Sequence, residues 1–196
     1  MIKNKKDYNR YLLADEKVFG IETKGIKNRL FYIINVLLFI ENYVLLYYTK
    51  ALRKAEYLKN TKEKVYLNKI RYVFANRKLN RLSTKLQIYI PVNTVSEGLL
   101  ILHLGYIVVN YNARIGKYAT FQPGSVIGQI DLPENVPAVG DNVVFAPGAV
   151  VIGKINVDSN VYICPNSVVV KDLPDNCVVS GIPAKIIKLN GEQIYN

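Results

Sequence analysis

Histidine is almost missing from this chain: His103 is the single copy in 196 residues. One histidine excludes a multi-histidine metal centre. The two cysteines, Cys164 and Cys177, form no CxxC pair, so neither a disulfide framework nor a zinc site nor any other metal is expected. Both cysteines read as small buried hydrophobes in a reducing compartment. Proline is absent before Pro91, which leaves the first part of the chain without the strongest helix breaker. The N-terminal "MIKNKKDYNRYLLADEK" lacks the apolar core of a signal peptide, which predicts a chain that starts here and stays in the cytoplasm. Uninterrupted hydrophobic runs are lacking too. The longest candidate, residues 30–48, is broken by Asn35, Glu41 and Asn42, and a carboxylate in mid-bilayer is costly. It is expected to be a buried helix, with peripheral contact at the inner face of a membrane as the lesser alternative.

Cations are scarce in the second half of the chain. Residues 1–85 hold 20 Lys and Arg against 7 Asp and Glu, net +13, and residues 86–196 hold 6 against 8, net −2, which together give the +11 of the whole. The basic half also carries most of the tyrosines. Such a surface suits an acidic polymer or a lipid-pyrophosphate-linked glycan. It contains no nucleic-acid motif, so no nucleic-acid partner is expected.

What the sequence does have is two different periods. Over residues 28–80 apolar side chains recur at three and four, as in Leu37, Leu38, Val44, Leu45, Tyr48, Leu52, Ala55 and Leu58, which is helical spacing. Within it "YTKALRKAEYLKNTKEK" places Arg53, Lys54 and Glu56 on what reads as a solvated face. After Pro91 the period becomes six. From Val109 the chain divides into "VNYNAR", "IGKYAT", "FQPGSV", "IGQIDL", "PENVPA", "VGDNVV", "FAPGAV", "VIGKIN", "VDSNVY", "ICPNSV" and "VVKDLP". First positions are almost all Val, Ile or Phe, and turn formers collect at the third and fourth. Repeats this short build a parallel β-helix with three units to a coil. Residues 18 apart should then stack, with Val109, Ile127, Phe145 and Ile163 in one column and Phe121, Val139 and Val157 in another. Pro133 cannot donate to a strand ladder, so "PENVPA" marks a loop leaving the coil.

This repeat resembles the hexapeptide-repeat acyltransferases, and "GLLILHLGYIVVN" with the closing "GIPAKII" resembles their serine O-acetyltransferase branch, including relatives in polysaccharide gene clusters. The resemblance implies an α+β fold, an N-terminal α-helical region followed by a left-handed parallel β-helix. On this reading residues 1–85 form an α-helical basic domain, 86–189 the β-helix acyltransferase domain and 190–196 a C-terminal tail. It also implies a homotrimer with acetyl-CoA bound between neighbouring coils. His103, which its apolar neighbours alone would make a core residue, becomes the general base that deprotonates the acceptor hydroxyl as it attacks the thioester. Ala146, Pro147, Gly148 and Pro165, with Gly181, Pro183 and Ala184, match positions lining the pantetheine slot. Lys185 is the expected phosphate partner, with Lys171 and Lys188 as further cations.

The sequence departs from that branch at three places. Ile88 stands where the branch carries the Asp that orients the histidine, and Asn135 and Val136 stand where it carries the Arg-His that binds serine. Glu97, the nearest acid in sequence, is the expected partner of His103, with Asp131, Glu134 and Asp141 as alternatives reaching from the loop or a neighbouring chain. Tyr106 replaces a small residue, where it would narrow the acceptor site, stack on a sugar ring or simply pack. A carboxylate without its arginine loses a bidentate contact, so the leading expectation is transfer of acetyl to a sugar hydroxyl in capsule, O-antigen or exopolysaccharide assembly. Serine O-acetyltransferase comes second. A non-catalytic trimeric scaffold comes third.

Overall fold

The computed structural model describes residues 1–63 and 66–194. Four helices come first: α1 (Lys5–Phe19), α2 (Ile26–Leu37), α3 (Glu41–Thr61) and α4 (Tyr66–Leu86). Helix α1 is capped at both ends, by the Asn4 side chain accepting from the Asp7 N–H and by Gly20 in the left-handed region at φ 64°. Residues 64 and 65, inside the predicted helical stretch, lie outside the described residues, as do residues 195 and 196 of the predicted tail.

The apolar run at 30–48 is not one buried helix. It breaks at Leu38–Ile40, where Phe39 takes φ 59°, and α2 and α3 meet at a bend of 104°. Ile26, Leu30, Phe31, Ile33, Ile34 and Leu37 of α2 are exposed, whereas Val44, Leu45, Tyr48 and Leu52 of α3 are buried against the β-helix. No single described helix is long and apolar enough to cross a membrane.

The second half is three stacks of short parallel strands. One face holds Ile88–Tyr89, Ile107–Val109, Val126–Gly128, Val150–Ile152 and Val168–Val169. A second holds Arg114–Ile115, Ala138–Val139 and Asn156–Val157. The third holds Leu100–Ile101, Thr120–Phe121, Val144–Phe145, Tyr162–Ile163 and Cys177–Gly181, and turns antiparallel through Ala184–Leu189 and Glu192–Gln193. Every second side chain points inward, so Ile101, Phe121, Phe145, Ile163 and Val179 make one fully buried column. Within it the Phe121 and Phe145 rings stack at 4.6 Å.

The predicted columns hold only where no loop intervenes. Val109 pairs with Ile127, but Ile127 pairs with Val151 and Phe121 with Phe145, in each case 24 residues on. The loop between Gly128 and Ala138 adds six residues and no strand of its own. It therefore moves Phe145 and Ile163 into the Phe121 column and Val139 beside Ile115.

The expected solvated face of α3 is also wrong. Arg53 and Glu56 are buried and only Lys54 is exposed. The Arg53 guanidinium donates to Asp15 Oδ2 at 2.8 Å, Glu56 Oε2 at 3.0 Å and the Val95 carbonyl at 2.8 Å, and reaches Ser96 O as well. Asp15 in turn accepts from the Gly98 and Leu99 N–H groups at 2.8 and 2.9 Å. One buried cation thus ties α1, α3 and the first coil together.

Candidate functional site

Corners between the third and first faces form a vertical edge, and His103 lies at its foot. Six residues separate Phe121 from Ile127, Phe145 from Val151 and Ile163 from Val169, but eight separate Ile101 from Val109. The ends of this longer corner are pinned, since Leu102 N–H donates to Phe121 O at 3.1 Å and Gly124 N–H to Tyr106 O at 2.6 Å. The surplus is pushed outward. The His103 side chain is 65% exposed as a result, so an imidazole framed by leucines in sequence faces solvent. Gly105, at φ 147°, allows the excursion, because a Cβ there would sit 2.9 Å from Pro123.

Above His103 the corners repeat Pro-Gly, Pro-Gly and Pro-Asn. Gly148 N–H donates to Pro123 O at 2.9 Å, Asn166 N–H to Pro147 O at 2.9 Å and Gly181 N–H to Ser167 Oγ at 3.2 Å. With tiers about 4.8 Å apart, the edge from Tyr106 to Asn166 runs about 14 Å. Gly124, Gly148 and Asn166 occupy equivalent left-handed positions, at φ 85°, 72° and 56°, and this is why turn formers recur there.

The structure gathers most of the predicted residues on this edge. Tyr106, Pro147, Gly148, Pro165, Gly181 and Pro183 follow His103 up it, with Ala184 and Lys185 opening the strand Ala184–Leu189. Ala146, expected to line the slot, is fully buried behind this edge. Lys171 lies apart, exposed at the corner between the first and second faces, and Lys188 is exposed on the strand Ala184–Leu189.

Glu97 does not reach His103. It occupies a different corner, where Oε2 pairs with Arg10 Nε at 2.7 Å and Oε1 faces Lys117 Nζ at 3.7 Å. Among the described residues the acid at His103 is Glu41, the first residue of α3: Oε2 lies 3.3 Å from Nδ1, and Oε1 accepts from the Leu104 N–H at 2.9 Å. The Leu104 N–H holds this carboxyl below the usual carboxylate range, reinforced by the hydrogen bond and charge of His103 and opposed by slight burial. Glu41 is 62 residues from His103 in sequence, and the only signal it gave was a charge breaking an apolar run. The resulting unit is a carboxylate, an imidazole and an open corner stack, which can abstract a proton beside a bound thioester.

No family model matches the chain. Over 135 residues, 67% of the chain, it is 35% identical to the serine acetyltransferase of Staphylococcus epidermidis. Over 130 residues it is 35% identical to that of Staphylococcus xylosus. The chain covers 62% and 60% of those two relatives, less than two thirds of their length. The fold matches soybean serine acetyltransferase with a TM-score of 0.72 at 22% identity, over 93% of this chain and 69% of that one. It matches the Brucella abortus enzyme with 0.71 at 22% identity, over 95% and 71%. These relatives overturn the expectation of a sugar acceptor, because those found by sequence and by fold are named for serine and not for a polysaccharide. That expectation rested on Asn135 and Val136 in place of the serine-binding pair, on the basic N-terminal half and on the likeness to polysaccharide-cluster relatives, whereas the likeness in fold covers 93% of the chain. In sequence and in fold the chain is similar to the serine acetyltransferases, and like them it places helices ahead of a left-handed β-helix of hexapeptide repeats.

Proposed function

We propose that the chain transfers acetyl from acetyl-CoA to the hydroxyl of L-serine, with His103 as the general base. One observation carries the reading: the single histidine of a serine-acetyltransferase-like chain stands on an exposed corner at the foot of the Pro-Gly stack, with a carboxylate at its Nδ1. Nε2 takes the hydroxyl proton as the oxygen attacks the thioester carbonyl. The C–S bond then breaks, and the imidazolium returns its proton to the leaving CoA thiolate. Products are O-acetylserine and CoA. A base so placed contributes about 10²–10⁴ in rate.

Pantetheine would run along the corners at Pro147-Gly148 and Pro165-Asn166, where the chain turns at left-handed residues. Lys185 would meet a phosphate as a flexible point charge. His103 is 65% exposed beside Glu41, which leaves room for a neighbouring copy to close the site in a homotrimer. Acetyl-CoA as the donor supports a reaction in the cytoplasm. The test is a thermal shift with acetyl-CoA followed by an acceptor panel. Stabilisation by the donor and CoA release that depends on L-serine are expected, since a ligand of the native state must raise its melting temperature. Absence of both would refute the assignment.

A further inference from the structure

Helix α3 fixes Glu41 with respect to the first coil. Its residues Val44, Leu45, Tyr48 and Leu52 are buried in the shared core. Tyr48 bridges to the coil backbone, donating to Ile88 O at 3.1 Å and accepting from Ile90 N–H at 3.3 Å. The carboxylate of Glu41 is therefore held from both sides, by its own helix and by the Leu104 N–H. Among the described residues no acid of the coil pairs with His103. Ile88 is fully buried and apolar, and Glu97 is engaged by Arg10 and Lys117.

We propose, resting on the reading of His103 as general base, that Glu41 is its positioning residue, a carboxylate delivered by the helical half that locks the imidazole as the Nδ1–H tautomer. An ionised carboxylate only accepts hydrogen bonds, so the ring nitrogen facing it must donate. Nε2 then keeps its lone pair and points away from α3, toward the acceptor hydroxyl. The helical half thereby contributes to the chemistry as well as to packing.

This role predicts an inverted order of damage. In Glu41→Gln the Leu104 N–H still requires an acceptor, so the carboxamide oxygen stays there and the NH₂ group turns toward His103. A donor facing Nδ1 forces the proton onto Nε2, the wrong tautomer for a base. In Glu41→Ala the imidazole is released and samples both tautomers. The kcat loss should be about 10²–10³-fold for E41Q and about tenfold for E41A, with KM for acetyl-CoA changed less than about twofold in both. A purely structural contact would make alanine the worse substitution and the near-isosteric glutamine the milder one.

Because His103 is the only histidine, ¹⁵N NMR of the imidazole reads its tautomer without assignment, in the intact wild-type protein. The Nδ1–H form is expected in wild type and the Nε2–H form in E41Q. A wild-type imidazole in the Nε2–H form overturns the proposal whether or not the variants fold, and so does an E41Q kcat equal to or above that of E41A. His103→Ala separates the two levels. If H103A keeps wild-type kcat, the base assignment itself fails. If H103A is inactive while E41Q and E41A stay fully active, only the role of Glu41 fails.

Discussion

Removing the buried cation at Arg53 should be among the most damaging single changes in the molecule. In Arg53→Leu the carboxylates of Asp15 and Glu56, 0% and 2% exposed, lose the guanidinium that both face. The Val95 and Ser96 carbonyls lose their donors as well. Breaking one partner out of a buried charge cluster costs about 3–5 kcal/mol. Asp15 keeps the Gly98 and Leu99 N–H groups and Glu56 keeps the Asn93 N–H at 2.8 Å, which argues for about 4 kcal/mol rather than more. For a chain of this size that corresponds to a melting temperature lower by about 8–16 °C, measurable by circular dichroism alongside urea unfolding. The deficit should depend on pH with a defined sign. Burial pushes the Glu56 carboxyl up and Arg53 is the main influence pulling it down. Its folded-state pKa already lies above the ordinary value and rises further without Arg53, so the variant is penalised most above that raised pKa and regains ground as pH falls through it. Lys50→Ala, which removes the partly exposed pair to Glu16 at 2.7 Å, should cost no more than about 1 kcal/mol. An R53L variant within about 1 kcal/mol of wild type at neutral pH would refute this account of how the two halves are joined.

Two changes on the corner stack should separate donor binding from folding. Gly148→Ala places a Cβ 2.2 Å from Asn166 Oδ1 at a residue with φ 72°, so it should cost about 1–3 kcal/mol of stability and raise KM for acetyl-CoA, read by melting and initial rates. Lys185→Ala should raise KM for acetyl-CoA by about three- to tenfold with kcat unchanged, because an exposed cation meeting a phosphate contributes uniform binding.

The repeat was legible because its period is imposed by local geometry. Inward side chains and left-handed corner residues alternate at fixed intervals, so Phe121, Gly124, Phe145, Gly148, Ile163 and Asn166 announce faces and corners on their own. The displaced columns were not legible, because the loop between Gly128 and Ala138 adds a whole unit and leaves the period in phase while contributing no face. Arg53 and Glu56 look like any solvated pair on a charged helix. Only the packing of α1 and the first coil around α3 turns them inward. Likewise Glu41 meets His103 through the sharp turn at Phe39, a contact between distant segments that no local pattern encodes. The two extra residues in the His103 corner were present in the sequence, but they fall before the regular phase begins at Val109.

Mass spectrometry of the reaction mixture tests both His103 as the base and serine as the acceptor. Intact protein with acetyl-CoA and L-serine should yield O-acetylserine and CoA in equal amounts, and His103→Ala should lower that rate by at least about a hundredfold while its melting temperature stays near wild type. No O-acetylserine from the wild-type protein, or an unchanged rate in His103→Ala, would contradict the account.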